Sequence, residues 1–314
     1  MIKSNEVKTK LVASREAYGQ QLVDLGQKHT KLVVLEAGMS NSTYSELFAK
    51  QFPKRYFPLF IAEQNAIGVA VGLAKRGFIP FVSTFAAFWT RAHDQIRMAS
   101  YSQANLKICG SHAGLSAGPD GISQMGLEDL AMFRSVYNSI ILCPSDSVST
   151  AKLVELAYQT PCLAYLRTSK IATPLIYSAN SKFSIPGLTV LKQSPKDTVA
   201  IVAAGLTVHQ ALAAHKVLSQ ENLSVRIIDL YCIKPINEKQ LSKALTGIKQ
   251  VLTVEDHYSE GGLGEAVRSA LSNSSYQISS LAINQLPKSG RFEELMAFAK
   301  IDKKAIVDKV KQLF

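Results

Sequence analysis

The sequence predicts an α/β protein made of two successive domains with mostly parallel sheets. Apolar runs of strand length alternate with segments of helical periodicity along most of the 314 residues, a pattern typical of parallel sheets covered by helices on both faces. Residues 169–190 interrupt this pattern, lose periodicity and are rich in Pro, Ser and Asn. We therefore predict a first domain over 1–172, a linker over 173–190 and a second domain over 191–314.

The first domain is expected to contain alternating helices and strands in a regular order. A turn-rich stretch, 38–43, lies between the first strand and the next helix, which Ser42 or Thr43 is expected to cap. The predicted elements are a helix over 8–28, a strand over 31–35, the capped helix, a buried strand over 56–62, a helix over 65–75, a strand over 79–83, a helix beginning near Phe85, a strand over 106–109, a helix over 128–134, a strand over 139–143, a helix over 148–158 and a strand over 162–166.

The second domain repeats this alternation. Its predicted elements are strands over 198–203, 224–229, 250–255 and 277–283, helices over 208–219, 238–244 and 264–271, and a helical segment from residue 292 to the end. Gly262-Leu263-Gly264 lacks the remaining glycines of a dinucleotide-binding fingerprint. Glu255-Asp256-His257 is compatible with a metal site or a catalytic triad, but we favour a structural or interface role.

Composition excludes several classes of function. The net charge is +11, yet the lysines are scattered and no basic run is interleaved with aromatics, so we do not expect nucleic acid as a partner. The charge fits phosphorylated substrates or an acidic partner subunit better. No apolar run is long enough to span a bilayer, and the first residues lack a signal-peptide core, so we expect no membrane contact and a cytoplasmic location. The four cysteines are spaced too widely for a zinc knuckle or a redox pair, and we expect buried free thiols.

One carboxylate and two aromatic residues are candidates for a shared pocket. Glu63 follows an apolar run, and a carboxylate at the end of a parallel strand faces the crevice where ligands of α/β folds bind. Phe85 and Phe88 are three residues apart, a spacing that places both on one face of a helix. From the residues alone, a helix-start Glu and two core Phe remain the alternative.

Several long blocks resemble one enzyme family. The run IAEQN, STFAAFWTRAHDQIRMA, GSHAGLSAGPDGISQMGLEDLAMFRS, PSD and LRTSK resembles the pyrimidine-binding domain of transketolase, and TVEDHYSEGGLGEAV resembles its C-terminal domain. The resemblance is colinear from about Arg15 to the C-terminus. The Gly-Asp-Gly…Asn motif, with which the family's N-terminal domain binds diphosphate and metal, is absent. The chain therefore resembles the C-terminal half of a split transketolase.

The resemblance implies thiamine diphosphate as the cofactor. Glu63 matches the catalytic glutamate that exchanges a proton with the aminopyrimidine ring, and Phe88 matches the ring stacked on it. Phe85, Arg91 and Gln124 match positions around the same ring. Mg²⁺ or a similar divalent ion would be held by a partner, the N-terminal transketolase subunit, in an α2β2 assembly in which this chain also self-associates through the same domains.

The resemblance also implies a two-carbon ketol transfer between sugar phosphates, for example from xylulose 5-phosphate to ribose 5-phosphate. The positions that bind the substrate phosphate in the family match Arg15, Ser42, His112 and Arg167. His112 would also contact reacting oxygens, and Asp120 matches the carboxylate that receives a ketose hydroxyl. Taken singly, each of these residues has a structural alternative, such as a helix cap, a core histidine or a salt-bridge partner.

Three residues depart from the family pattern, and three other functions remain as alternatives. Gly38 stands where relatives commonly have Asp, Pro119 replaces a frequent Glu, and Ile122 a frequent Pro or Ala, so specificity is open at these positions. The alternatives are the beta subunit of a 2-oxoacid dehydrogenase, 1-deoxyxylulose-5-phosphate synthase, and a non-catalytic regulatory half. The FAAFWTRAHDQIR block and the phosphate-binding set favour transketolase over the dehydrogenase subunit. The synthase has related domains but in a single longer chain. Glu63, Phe88, His112 and Arg167 argue against a non-catalytic half, an alternative that Gly38 leaves open.

Overall fold

The protein folds around two large sheets, and a computed structural model describes residues 11–314. In these residues the strands are β1 (Val12–Ala13), β2 (Leu32–Glu36), β3 (Tyr56–Pro58), β4 (Ile79–Phe85), β5 (Lys107–Ser111), β6 (Ile140–Leu142), β7 (Ala164–Arg167), β8 (Ala172–Thr173), β9 (Thr189–Lys192), β10 (Val199–Ala203), β11 (Val225–Asp229), β12 (Cys232–Lys234), β13 (Gln250–Tyr258) and β14 (Gln277–Ile283). The helices are α1 (Ser14–Lys28), α2 (Ser40–Thr43), α3 (Glu46–Gln51), α4 (Glu63–Lys75), α5 (His93–Tyr101), α6 (Asp129–Ser135), α7 (Ser147–Gln159), α8 (Thr207–Gln220), α9 (Glu238–Ala244), α10 (Leu263–Ala270), α11 (Phe292–Phe298) and α12 (Lys303–Lys311).

The first sheet has seven strands in the order β12-β6-β7-β5-β4-β2-β3. All neighbours are parallel except β12, which is antiparallel to β6. The register pairs Glu36 with Ser83 and Phe85 with Ser111. Because the carboxyl ends of parallel strands meet at one edge, the loops after β2, β4, β5 and β7 lie together, and ligands of α/β folds bind at such an edge.

The second sheet has the order β14-β13-β10-β11-β9, with only the edge strand β9 antiparallel among the described residues. The predicted alternation of strands and helices in both units, and hence the α/β fold with mostly parallel sheets, is confirmed. One hydrophobic cluster contains buried side chains from both units, including Leu130, Ile141 and Val202. The two units therefore pack against each other through an apolar core.

One strand joins the two units further, and two other connections tie the segment between them to the first unit. Strand β12, which follows β11 of the second unit, completes the edge of the first sheet. The Asp146 side chain caps α7 and also accepts the backbone N–H groups of Ile176 and Tyr177. A small sheet pairs β1 with β8, so that Val12 lies opposite Thr173.

The first predicted helix is shorter than expected. It begins at Ser14, because Val12 and Ala13 are extended and pair with β8, and residues 8–10 of the predicted helix lie outside the described residues. Within α1 the buried face includes Tyr18, Leu22 and Leu25, in agreement with the helical periodicity.

The predicted buried strand over 56–62 is wrong for most of its length. Strand β3 covers only Tyr56–Pro58 at the edge of the sheet, and Phe60 and Ile61 are 76% and 73% exposed. Phe60 has a φ of +53°, which no strand accommodates. The chain leaves the sheet here and turns into α4, so this apolar run forms an exposed loop.

Two predicted helix starts are also corrected. Ser42 and Thr43 do not cap a helix but lie inside the short helix α2, and the residue that precedes α3 is Ser45. Phe85 is the last residue of β4, and the 3-10 helix that follows covers Ala86–Ala92. Phe85 and Phe88 therefore do not share an α-helix face, although their rings come together in another way.

The remaining general expectations concern cysteines and membranes. All four cysteines are free thiols: three are buried, and Cys162 is partly exposed. Among residues 11–314, none of the helices combines the length and apolar character needed to cross a bilayer.

Candidate active site

The first feature of the site is a buried carboxylate at the start of a helix. Glu63 is the first residue of α4, and only 4% of it is exposed. Arg91 Nη1 donates a hydrogen bond to Glu63 Oε1 at 2.8 Å, and its guanidinium carbon lies 4.6 Å from the centre of the Phe88 ring. Gln64 Nε2 donates to the Arg91 carbonyl at 2.9 Å and ties α4 to the following turn. A flat cation thus contacts both the carboxylate and an aromatic face.

The aromatic residues form a continuous stack. The Phe88 and Phe85 rings are 5.3 Å apart with an interplanar angle of 19°, and the Phe85 and His112 rings are 3.8 Å apart at 20°. Arg15 Nη1 approaches His112 Nε2 at 3.4 Å. The stack therefore runs from Arg91 at one end to Arg15 at the other.

His112 occupies a constrained position. Its φ is +56°, an uncommon conformation for a residue with a side chain. Burial, together with the nearby charges of Arg15 and Lys170, lowers the pKa of His112 to about 3, so the imidazole is neutral at pH 7. Because Arg15 Nη1 is a donor, His112 Nε2 accepts, which leaves Nδ1–H to donate to Ser111 Oγ at 3.0 Å.

A cavity of about 620 Å³ opens beside this stack. It lies at the carboxyl edge of the first sheet, and both cationic and hydrogen-bonding groups line it. The lining residues are Arg15, Asn41, Ser42, Phe85, His112, Asp120, Gln124 and Lys170. Six of these eight were singled out in the sequence, so the fold brings most of the predicted site residues into one place.

Sequence reasoning missed Asn41 and Lys170. Lys170 Nζ donates to Asp120 Oδ2 at 2.7 Å across the cavity wall. Its position is fixed locally, because Ser14 Oγ and Ser169 Oγ are 3.0 Å apart and the Ser169 N–H donates to Ser14 Oγ. These contacts hold Arg15 and Lys170, each next in sequence to one of the serines, at the same cavity. The available signal was a second cation three residues after Arg167.

A second, smaller cavity lies on the other side of Phe88. Its volume is about 270 Å³, and its lining residues are Ala87, Phe88, Thr90, Arg91, Ile122, Ser123, Met125, Leu127, Glu128 and Tyr258. Phe88 and Arg91 are thus placed here, and Phe85 and His112 are placed at the larger cavity. Ile122 lines this cavity, whereas Pro119 lies inside the preceding short 3-10 helix.

The structure does not bring Arg167 to either of these two cavities, contrary to the expectation. It is 7% exposed, and its Nε donates to Asp129 Oδ2 at 2.8 Å. Its Nη2 donates to the carbonyls of Gly126 at 3.0 Å and Asp256 at 2.8 Å. Since protein oxygens already accept from these nitrogens in the interior, the guanidinium serves the contact between the two units. The cations at the larger cavity are Arg15 and Lys170.

The three consecutive residues Glu255, Asp256 and His257 are buried and do not form a triad with one another. Glu255 accepts the backbone N–H groups of Leu263 and Gly264, at the start of α10. Asp256 Oδ1 accepts the Leu115 N–H at 2.8 Å. These contacts hold the interface between the two units and the start of a helix, and Gly262-Leu263-Gly264 therefore serves α10 and not a dinucleotide. Within residues 11–314, no group of three or more His, Cys, Asp or Glu is arranged to hold a metal ion.

A buried carboxylate shapes the turn that carries Asn41 and Ser42. Glu36 accepts hydrogen bonds from Met39 N at 2.9 Å, Thr43 Oγ1 at 2.7 Å and Ser45 Oγ at 2.6 Å. Burial raises the pKa of Glu36 to about 7. Gly38, within this turn, has a φ of +89°, and a Cβ there would come within 3.2 Å of Ile61 Cγ1. An Asp at this position would therefore be strained in the present loop.

The chain matches known proteins along nearly its whole length. Residues 10–174 match the family model described as the pyrimidine-binding domain of transketolase, and residues 188–306 match the model described as the transketolase C-terminal domain. Transketolase from Homo sapiens is 46% identical over 305 residues, and that from Rattus norvegicus is 47% identical over 305 residues. Each alignment covers 96% of this chain and 49% of the relative. The chain thus spans about half the length of the curated relatives it matches.

Solved structures agree with this assignment. A protein described as a split gene transketolase in an inactive beta4 tetramer aligns with a TM-score of 0.87 and 37% identity, over 96% of this chain and 97% of that one. Transketolase from Campylobacter jejuni shares the fold, with a TM-score of 0.85 and 20% identity over 98% of this chain and 48% of that one. Since both domain models match in order, and the split gene relative is covered from end to end, the chain belongs to the transketolase family.

Proposed function

We propose that this chain is the C-terminal subunit of a thiamine-diphosphate-dependent transketolase. It would act with a separate N-terminal subunit to move a two-carbon ketol unit from a ketose phosphate to an aldose phosphate. The observation that carries the proposal is the buried Glu63 carboxylate, which a flat guanidinium already contacts above the Phe88 ring. The whole-length likeness to a split gene transketolase supports the same conclusion.

The residues around Glu63 fit the aminopyrimidine of the cofactor. The Arg91 guanidinium is planar, carries N–H donors, lies over Phe88 and donates to Glu63. An aminopyrimidine is also planar and also carries N–H donors, so contacts that suit the guanidinium suit the ring. The Arg91 guanidinium and the aminopyrimidine would need the same contacts to Glu63 and Phe88. The Arg91 side chain is 54% exposed, so it has room to move toward solvent when the ring binds.

Glu63 would hold and return one proton at the ring nitrogen of the cofactor. When bound, the cofactor supplies a thiazolium that serves as an electron sink for carbon–carbon cleavage. The contribution of this chain is a carboxyl group at a fixed position, held by α4 and shielded from water. Phe88 would stack on the ring, with Phe85 behind it.

The larger cavity would bind the phosphorylated end of the sugar. Arg15 and Lys170 provide two cations, and Ser42 and the neutral His112 add polar groups beside them. A guanidinium pairs with phosphate through two parallel hydrogen bonds, which gives strength and orientation. Asp120, which now pairs with Lys170, is positioned to accept a sugar hydroxyl. Xylulose 5-phosphate and ribose 5-phosphate are suitable substrates for such a pocket.

The diphosphate and Mg²⁺ would be held by the N-terminal subunit in an α2β2 complex. The described residues of this chain would bind the ring and the sugar phosphate, and among them no group of three or more His, Cys, Asp or Glu is arranged to hold a metal ion. The split gene relative was observed as an inactive tetramer of beta chains. We therefore expect this chain to self-associate and to be inactive when alone.

The test is ketol transfer by the reconstituted complex with thiamine diphosphate and Mg²⁺. This chain, the N-terminal-type subunit from the same source, and their mixture would be assayed with xylulose 5-phosphate and ribose 5-phosphate. We expect activity only in the mixture, and a loss of at least about 10²-fold in Glu63→Gln, because a positioned acid–base group contributes rate factors of that order.

A matched control is Glu46→Gln, whose partly exposed carboxylate pairs with Lys50 at 3.3 Å on α3. This variant should keep full activity. Activity of this chain alone, or unchanged activity of Glu63→Gln in a folded complex, would refute the proposal.

A further inference from the structure

The second unit carries a groove that the proposed reaction does not use. Its volume is about 970 Å³, larger than either of the two cavities described above. One wall is helix α8 and the others are the edge strand β9 and the segment 173–176. The lining residues are Thr173, Pro174, Leu175, Ile176, Leu191, Lys192, His209, Leu212, Ala213, His215, Lys216, Ser219 and Gln220. We propose that this groove is a binding site for a small organic phosphate with an apolar body.

The apolar part of the proposal rests on the floor of the groove. Ile176, Leu191 and Leu212 are partly buried and pack against the hydrophobic core of the second unit. Leu175 is 49% exposed at the rim. These side chains form apolar surface that is concave and open to solvent, the kind of surface that encloses the apolar body of a small ligand.

The charge of the groove selects an anion. Lys192 and Lys216 line it, and none of its lining residues is an aspartate or glutamate. Neither lysine takes part in an ion pair in the described structure, whereas Lys304 and Lys311 of the same unit do. Two cations without a carboxylate beside them suit a dianion such as a phosphate monoester.

Two histidines also lie on the walls of the groove. Burial lowers the pKa of both His209 and His215, and the positive charge of Lys192 lowers that of His215 further. Lys192 lies on the strand wall of the groove and His215 on its helix wall. His209 Nε2 is 2.6 Å from the Ser145 carbonyl, which fixes its ring at the groove wall.

The groove is built separately from the sugar-phosphate pocket. The two share no lining residue, but the groove wall continues directly from β8, which pairs with β1 just before Arg15. A ligand in the groove would contact Thr173, whose partner in this small sheet is Val12. A ligand bound in the groove would thus contact both the second unit and the segment that joins this unit to the first.

The test uses 1-naphthyl phosphate as the probe and isothermal titration calorimetry on the full chain. 1-Naphthol, which is the apolar part of the probe, and inorganic phosphate, which is its charged part, are titrated separately for comparison. We expect saturable binding of one probe per chain, and weaker binding of either half. The double variant Lys192→Ala/Lys216→Ala should bind the probe at least about tenfold more weakly, because charge-assisted hydrogen bonds to the phosphate are lost.

Two controls locate the site. Lys243→Ala/Lys249→Ala removes two exposed lysines of the same unit that do not line the groove, and should leave binding unchanged. Leu212→Glu, which places a carboxylate on a partly exposed wall position, should abolish binding while circular dichroism shows an unchanged fold. Absence of saturable binding, or binding that survives the groove variants and is lost in Arg15→Met, would overturn the proposal.

Discussion

Two groups of basic residues lie near the carboxyl edge of the first sheet, and they differ in what surrounds them. Arg15 and Lys170 face a cavity of about 620 Å³, together with the neutral His112. Arg167, only three residues before Lys170, is enclosed by Asp129 and by the backbone carbonyl of Asp256. Arg15 and Lys170, the open group, can still donate hydrogen bonds to a ligand in the cavity. Arg167, in the enclosed group, already donates to oxygen atoms of the protein.

This difference shows that residue type and position along the chain do not by themselves decide which cation faces a cavity. Arg167 is the last residue of β7 and points into the contact between the two units. Lys170 lies beyond the strand, where the chain has turned toward the cavity. A charged side chain is available for binding when its partners in the folded protein leave donors free.

The largest expected effect comes from breaking the enclosed group. Arg167→Met leaves Asp129 buried without its cation, and removing one partner of a buried ion pair costs about 3–5 kcal/mol. We expect a loss of that size in the free energy of unfolding, measured by urea denaturation. The control is Arg15→Met, the same substitution in the open group, which should cost less than about 1 kcal/mol because Arg15 bonds only neutral acceptors. Equal losses in the free energy of unfolding for the two variants would contradict the distinction between the enclosed Arg167 and the open Arg15.

The reverse result is expected for catalysis by the reconstituted complex. Arg15→Met should lower kcat/KM for xylulose 5-phosphate by about 10–100-fold, since a charge-assisted contact to phosphate is worth roughly 1.5–3 kcal/mol. The same variant should act on xylulose, which lacks the phosphate, with an almost unchanged kcat/KM. If both donors suffer equally, Arg15 does not contact the phosphate.

A pH titration would sharpen the account of the enclosed group. Burial raises the pKa of Asp256 to about 6, although Arg167 and the Leu115 N–H oppose this shift. The folded state then keeps a proton that the unfolded chain has lost, so this carboxyl lowers the stability as pH rises from about 4 to about 6. Relative to Asp256→Asn, which retains an acceptor for the Leu115 N–H, the wild type should lose about 1.4 kcal/mol per pH unit in this window. Denaturation curves that stay parallel for the two proteins would contradict this assignment.

The smallest expected effect concerns Arg91. Because its guanidinium would compete with the aminopyrimidine for Glu63 and Phe88, Arg91→Met should tighten thiamine diphosphate binding to the complex. A half-exposed ion pair is worth at most about 1 kcal/mol, which corresponds to a factor of up to about five in Kd. Fluorescence titration would measure it, with Arg97→Met, whose partner is the exposed Asp94, as the control. Weaker binding in Arg91→Met would mean that Arg91 stays and contacts the cofactor.

Much of the fold and part of the site could be predicted from the sequence. The alternation of apolar runs with helical periods sufficed for the α/β units, and Glu63 could be placed at the start of a helix because its polar side chain ends an apolar run. The exposed loop at Phe60 and Ile61 could not be predicted, since apolar composition does not tell whether a run stays in the sheet. The setting of Arg167 could not be predicted, since its acceptors Asp129, Gly126 and Asp256 come from distant parts of the chain and only the fold brings them together.

Strand β12 has a consequence for how this protein can be divided. It leaves the second unit and supplies the outermost strand of the first sheet, beside β6. A gene cut at the connection between the units would leave β6 with an unpaired edge, and such edges invite association with other chains. In expression, domain exchange or recombination between relatives, the two units should therefore be kept together as one piece.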